Sequence, residues 1–391
     1  MLTSEENDLL TRVGPGTPAG EMLRRYWHPI SVARELSGEH PTKFVRILGE
    51  DLVIFRDKSG RTGLLADKCA HRSASLVYGR VEERGISCAY HGWLYDCEGN
   101  ILETPPERND AIMKSVKIKA YPVQVYLGLI WAYMGPAPAP PMTRFDSLFR
   151  DDVHRSIIVH PILDCNWFQA MENSVDPAHL QVLHQEFAGR GGRVPTNTTR
   201  GFTDDVESYE FYETGYGVMK KRTYKNGMMD EHPLVFPNIL RQGTSTQFRV
   251  PIDDEHTIHI HVVCSFAQEG DDMSDVWDPP VEYKGPYKEP ADALHPEARF
   301  TLHHVIPQDH MAWETQGPIA DRSLEKLSYS DRGIVLYRRV AKREIERVAN
   351  GEDPIPVQRD PEHAIIDTNL LDGIAQQTKS RAPSVLGGII K

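Results

Sequence analysis

"KCAHRSASLVYGRVEERGISCAYHGW", residues 68–93, holds Cys69 and His71 with one residue between them, then Cys88 and His91 with two, and sixteen residues separate the pairs. Two cysteines of the five in a chain of 391 residues fall in this one stretch, too few overall for a disulfide scaffold, so thiol chemistry here reads as metal binding. The rest of the composition is that of an ordinary globular protein, 40% hydrophobic and 26% charged, long enough for two or three domains. A formal charge of −12 opposes a phosphate-binding surface, so nucleic acid is excluded as a partner. No apolar run has the length of a membrane span, and "MLTSEENDLL" carries acids where a signal peptide carries bases. A cytoplasmic location without membrane attachment is the expectation.

Working outward from the Cys/His stretch, "KFVRILGEDLVIFRD" through "VYLGLIWAYMG" is a series of short apolar or alternating runs broken by Gly, Asp and Asn. It reads as a small antiparallel β domain over residues 43–140, preceded by a leading arm, 1–42, with a short helical segment carrying Met22, Leu23, Tyr26 and Trp27. The arm is expected to pack on the domain beyond "GPAPAPPM" (135–142), whose prolines interrupt helix and central strand alike. That larger domain, 141–391, mixes strand-like runs ("HRSIIVHPI", "GVMKKRTY", "NILRQGTSTQFRVPI", "HTIHIHVVCSF") with helical ones ("NWFQAMENSVDPAHLQVLHQEF", "DRGIVLYRRVAKREIERVAN"). The fold class is α+β, with helices flanking an antiparallel sheet.

Thiolates select zinc, copper(I) or iron–sulfur clusters, and imidazoles suit zinc and iron. Structural zinc sites pair Cys with Cys at short spacing, whereas here each loop offers one Cys and one His. A cluster in which one iron takes two thiolates and the other two imidazoles needs that arrangement. Cys-x-His, then Cys-x-x-His with Gly92 and Trp93 after it, resembles the Rieske [2Fe-2S] motif, with Cys69, His71, Cys88 and His91 as ligands. Cys97, Cys165 and Cys264 have no such companions and read as buried thiols. The motif alone describes an electron carrier, and a Rieske electron-transfer protein without oxygenase activity, or a zinc-stabilised binding protein, are the readings from other classes.

Downstream, residues 172–184 supply Glu172, Asp176, His179 and His184. Two imidazoles and a carboxylate on one face of an iron leave positions open for dioxygen. A five-residue step separates side chains on a regular helix, so a π-turn or a break is expected between His179 and His184. Asp176 before Pro177 also suits a helix N-cap, and Glu172 suits either the pocket or a helix-surface pair. Glu-x3-Asp-x2-His-x4-His resembles the iron motif of Rieske non-haem iron oxygenases. The resemblance implies His179 and His184 as iron ligands and Asp176 as the inter-site electron bridge. "VIPQDHMAWETQGPIADRSLEKLSYSD" resembles the segment that supplies the third ligand in the phthalate-dioxygenase-like branch, placing it on Asp309, with Glu314, Asp321 and Asp331 as competitors. His259 and His261 share a strand face but lack a nearby carboxylate at a familiar spacing, and read as core or pocket lining rather than metal ligands.

The resemblance implies an α (oxygenase) subunit with a Rieske cluster, a mononuclear Fe(II), and dioxygen as co-substrate. Electrons originate in NAD(P)H and arrive through a separate flavin/iron–sulfur reductase, with or without a ferredoxin; the chain has no strand-Gly-x-Gly-x-x-Gly-helix unit of its own. It also implies a helix-grip-like catalytic domain and a homotrimer or multiple of trimers. In that ring the cluster of one copy serves the iron of its neighbour, along His91, Asp176 and His179. The reaction is hydroxylation of an aromatic acid or, with the same metals, O-demethylation of an aryl ether. A substrate carboxylate wants an arginine fork, for which Arg241 is the first candidate, with Arg249 and Arg222 behind it.

Overall fold

The computed structural model describes residues 1–184, 206–288, 302 and 304–373. Two small antiparallel sheets build the region that carries the Cys/His stretch. One joins Thr42–Ile47, Glu50–Arg56 and Thr62–Ala66, and the other Arg80–Glu82, Gly85–Ser87, Leu94–Tyr95 and Ile101–Glu103. They close over their own core, which includes Val53, Phe55, Leu65, Ile86, Tyr95, Cys69 and Cys88.

The leading segment behaves differently from its helical reading. Its helix ends at Leu23, and Trp27–Val32 is a strand paired with Leu129–Tyr133. Pro29 lacks the N–H a helix interior needs, and the buried run "LIWAY" offers a ladder instead. The arm packs against the second domain: Asn166 donates to the Thr11 carbonyl (2.9 Å), Val13 N–H to Asp254 (2.8 Å), and Lys342 reaches Glu6 (2.6 Å).

The second domain is an eight-stranded sheet. Its order runs Val206–Thr214, Gly217–Tyr224, Met229–Val235, Ile239–Gln242, Ser245–Pro251, Thr257–Phe266, Val153–Val159, Val281–Tyr283, antiparallel throughout except for the last pair. The helices Trp167–Val175, Val305–Glu314 and Arg332–Ala349 lie along it. The first is wedged against the last by a buried ion cluster, in which Glu172 accepts from Arg322 (2.6–3.0 Å) and Arg338 (2.6 Å). Glu172 is therefore a structural carboxylate at the helix interface. Breaking such a pair from one side strands a buried charge, at a cost of about 3–5 kcal/mol.

Side chains alternate across the sheet, so Gln247 and Arg249 face the side of their register partners His261 and His259. On the same inner face, Lys220 sits opposite His232 and donates to the Ser174 carbonyl at the end of helix Trp167–Val175 (3.0 Å). Burial, then Arg222, pulls this lysine down to about 7.

Candidate metal centres

The two Cys/His loops are built alike. The Cys69 carbonyl accepts the N–H of Ser73 and the Cys88 carbonyl that of Gly92, each at 2.9 Å; the Cys69 N–H reaches Ala74 O and the Cys88 N–H reaches Trp93 O, again at 2.9 Å. Ser73 and Gly92, at equivalent places, both have positive φ, 57° and 75°. Each turn therefore presents one thiol inward and one imidazole toward the rim. Both cysteines are buried, and His71 lies edge-on to His91 (centroids 4.4 Å) while stacking on Trp93 (4.8 Å). The Tyr95 hydroxyl is 3.1 Å from Cys69 Sγ and accepts the Ala70 N–H at 3.1 Å, which turns its proton toward the sulfur. Burial, against the Tyr95 and backbone hydrogen bonds, raises the Cys69 thiol; a bound cation reverses this. Two buried thiols and two adjacent imidazoles, with His71 Nδ1 lacking a partner among the described residues, fit a [2Fe-2S] cluster of mixed ligation.

The chain breaks as the spacing requires between the second pair of histidines. Helix Trp167–Val175 stops at Asp176-Pro177, and Leu180–His184 is a π-turn. This turn brings His179 and His184 toward Asp309, on helix Val305–Glu314. Asp309 Oδ1 is 3.6 Å from His179 Nε2 and 3.5 Å from His184 Nε2, and the three ligand atoms lie within 4.8 Å of one another. His184 Nδ1 donates to Gln308 Oε1 (2.8 Å), and Gln308 Nε2 donates to the Leu302 carbonyl (2.8 Å), which leaves the Nε2 lone pair facing Asp309. Asp176 Oδ2 lies 3.4 Å from His179 Nδ1 and Oδ1 accepts the Ala178 N–H (2.7 Å). Asp176 therefore lies behind His179 at ion-pair distance, without the formed hydrogen bond that joins Gln308 to His184, while the Ala178 bond keeps part of the capping role.

Burial pushes Asp176 upward, but the His179 and Ala178 contacts outweigh it and hold the carboxyl below its usual value. Burial also lowers His184, against the pull of Asp309, keeping it in the neutral form a metal requires. His184 Nε2 and Asp309 Oδ1 are buried with no hydrogen-bond partner among the described residues. Two imidazoles, one carboxylate and orphaned ligand atoms fit a first-row ion of the iron class.

Of the competitors, Glu314 accepts the Asp164 N–H and pairs with Lys288, Asp321 caps Ser323, and Asp331 caps Ser328. Arg241 also lies elsewhere. Its guanidinium is spent on Asp146 (2.8 Å), Ser245 O (2.8 Å) and Thr246 (2.9 Å), and its register partner Thr246 faces away from Gln247 and Arg249. Its charge is already neutralised by Asp146 inside the protein, and only Nε is left without a partner among the described residues. Arg222 is likewise engaged by both oxygens of Asp230. Arg249 differs: it is 1% exposed, donates to Gln247 (2.7 Å), lies over Trp313, and its Nε and Nη1 have no partner among the described residues. The sequence does not separate these arginines, because their pairing depends on contacts such as Arg241 with Asp146, 95 residues away. Gln308 went unnoticed although it adjoins Asp309.

Residues 26–123 match the Rieske [2Fe-2S] domain, and residues 244–380 match the family described as LigXa C-terminal domain like. The oxygenase subunit of 5,5'-dehydrodivanillate O-demethylase from Sphingobium sp. is 38% identical over 92% of this chain and 84% of its own length. The oxygenase subunit of phthalate 4,5-dioxygenase from Pseudomonas putida is 35% identical over 91% of this chain and 89% of its own. The terminal oxygenase of carbazole 1,9a-dioxygenase from Nocardioides aromaticivorans superposes with a TM-score of 0.62 at 20% identity, over 84% of this chain and 97% of that one. The chain belongs to the Rieske non-haem iron oxygenases, in their phthalate-dioxygenase-like branch. It is the oxygenase subunit of such a system, working with a Rieske cluster, a mononuclear iron and dioxygen. Among the described residues no helix is long and apolar enough to cross a membrane.

Proposed function

We propose that this enzyme oxidises an aromatic carboxylate, with Arg249 receiving the carboxyl group. The observation that carries this reading is the buried guanidinium of Arg249, two of whose nitrogens, Nε and Nη1, have no acceptor among the described residues. A buried cation with unpaired donors is costly, and a bidentate carboxylate is the ligand that matches its geometry. The inner face around it carries Lys220, His232 and His259, and the Asp309 carboxylate that also acts on Arg249 is the one proposed to be taken up by the metal. Phthalate, phenoxybenzoate and 3-chlorobenzoate appear in the names of relatives 35%, 32% and 29% identical, and all are aromatic acids.

In this reading His179, His184 and Asp309 hold the mononuclear iron, and Cys69, His71, Cys88 and His91 hold the cluster. Together, when bound, these centres supply one-electron delivery and dioxygen activation. The chain's own residues position the rest. Asp176 and Gln308 fix the two imidazoles, Arg249 orients the acid, and the buried sheet face excludes water. Asp176 retains partial exposure, as do His71 and His91, next to exposed Tyr90. This supports a homotrimer in which His91 of one copy docks near Asp176 of the next, and a separate reductase, directly or through a ferredoxin, that charges the cluster. Hydroxylation of the ring is the first reading. Removal of a methyl group from an aryl ether is the second, favoured by the 38% identity to the O-demethylase subunit.

The test is oxygen uptake with a surrogate reductase and NADH across phthalates, benzoates and methoxybenzoates, with products identified. Acids turn over and their amides or alcohols do not, and Arg249→Gln raises KM for the acid about a hundredfold with a smaller change in kcat. Equal turnover of acid and amide contradicts the carboxylate assignment.

A further inference from the structure

A second cluster of imidazoles stands apart from the ligands already described. His259 and His261 are two residues apart on strand Thr257–Phe266 and therefore face the same side. His160, just past the end of strand Val153–Val159, donates its backbone N–H to the His259 carbonyl at 3.0 Å, which continues the ladder and puts its ring beside both. Ring centroids are 4.8 Å from His160 to His259, 4.6 Å from His160 to His261, and 4.3 Å between His259 and His261. One nitrogen from each ring falls within 4.8 Å of the other two. His259 and His261 are buried, and His160 Nε2 is a buried nitrogen with no partner among the described residues.

We infer that His160, His259 and His261 form a second divalent-metal site, of the zinc type. An all-imidazole set suits zinc, copper or nickel, and three neutral ligands with a fourth position open is a stable coordination for zinc. The cluster carries the support such ligands need. His259 Nδ1 is 2.8 Å from His310 Nε2, so the opposite nitrogen of His259 is turned toward His261, whose Nε2 is 2.7 Å away. In the metal-free protein one proton must be shared between those two nitrogens; a metal replaces it. Burial, then the neighbouring rings and Arg249, holds His259 and His261 well below ordinary imidazole values, so the ligands are neutral without any cost of deprotonation.

Arg249 is the register partner of His259 and brings a positive charge to the same face. It opposes a bare divalent ion and favours an anion in the fourth position. This inference stands independently of Arg249 as carboxylate fork, since its readout is metal rather than turnover.

The test is zinc uptake by tag-free, iron-loaded enzyme, with zinc chloride alone as the probe and metals counted after desalting. Wild type takes up about one zinc per chain, and His179→Ala/His184→Ala takes up as much, which separates this site from the mononuclear one. His261→Gln and His160→Gln lose zinc affinity about tenfold or more with the cluster absorption intact, and Arg249→Gln gains affinity. X-ray absorption at the zinc edge of the wild type, which needs no variant to fold, reports several imidazoles around the ion. No uptake by wild type, uptake unchanged in both His→Gln variants, or a shell of oxygen alone overturns the inference.

Discussion

The two regions proposed to bind iron are built on opposite principles. The proposed cluster ligands sit in one short stretch, on two turns of the same design, with Trp93 and the nearby Tyr95 as support. The proposed mononuclear group is assembled across the domain: His184 and the Gln308 that orients it are 124 residues apart, and the Gln308 helix is tied to Trp167–Val175 by Gln169, which donates to the Trp313 and Gly317 carbonyls. The difference teaches that the first site is a property of local backbone, while the second is a property of tertiary packing and should fail first when packing is disturbed.

That contrast yields graded expectations. The largest concerns the point where the regions have to communicate: Asp176→Asn keeps both metals, by iron analysis and cluster absorption, yet lowers turnover about a hundredfold or more, as the proposed inter-copy path through the carboxylate beside His179 requires. Wild-type turnover in that variant removes Asp176 from the path. Next, Glu172→Ala removes the carboxylate from Arg322, while Arg338 keeps Glu325, and costs about 3–5 kcal/mol in denaturant unfolding, with mononuclear iron lost before cluster absorbance. Simultaneous loss of both would erase the local-versus-assembled distinction. Gln308→Leu unlocks the His184 ring and weakens mononuclear iron about tenfold, measured by chelator competition, with the cluster untouched. The smallest effect is Tyr95→Phe, which removes a donor to Cys69 and lowers the cluster potential by on the order of tens of millivolts in voltammetry, leaving mononuclear iron unchanged.

The same contrast explains what was legible in the sequence. Cys69, His71, Cys88 and His91 could be read together because their spacing is itself the geometry. His179 and His184 were legible, with the π-turn between them, because a five-step on a helix has few solutions. Asp309 came only through resemblance, since nothing local marks one acid among Glu314, Asp321 and Asp331; its distinction is a tertiary one, burial beside two imidazoles. The arginines were hard to tell apart for that reason too. Arg241 and Arg249 look alike on their strands, and which is spent on an internal carboxylate depends on Asp146, far off in the chain. Trp27 was read as helical because its partner strand, Leu129–Tyr133, lies a hundred residues on.

The central claim, that His179, His184 and Asp309 are one metal site distinct from the cluster, is tested most directly by counting iron in anaerobically purified Asp309→Ala beside Glu314→Ala. The account predicts a fall from about three irons per chain to about two in Asp309→Ala, with full cluster absorption, and no fall in Glu314→Ala. Retention of all the iron in Asp309→Ala, or its loss in Glu314→Ala alone, would contradict it.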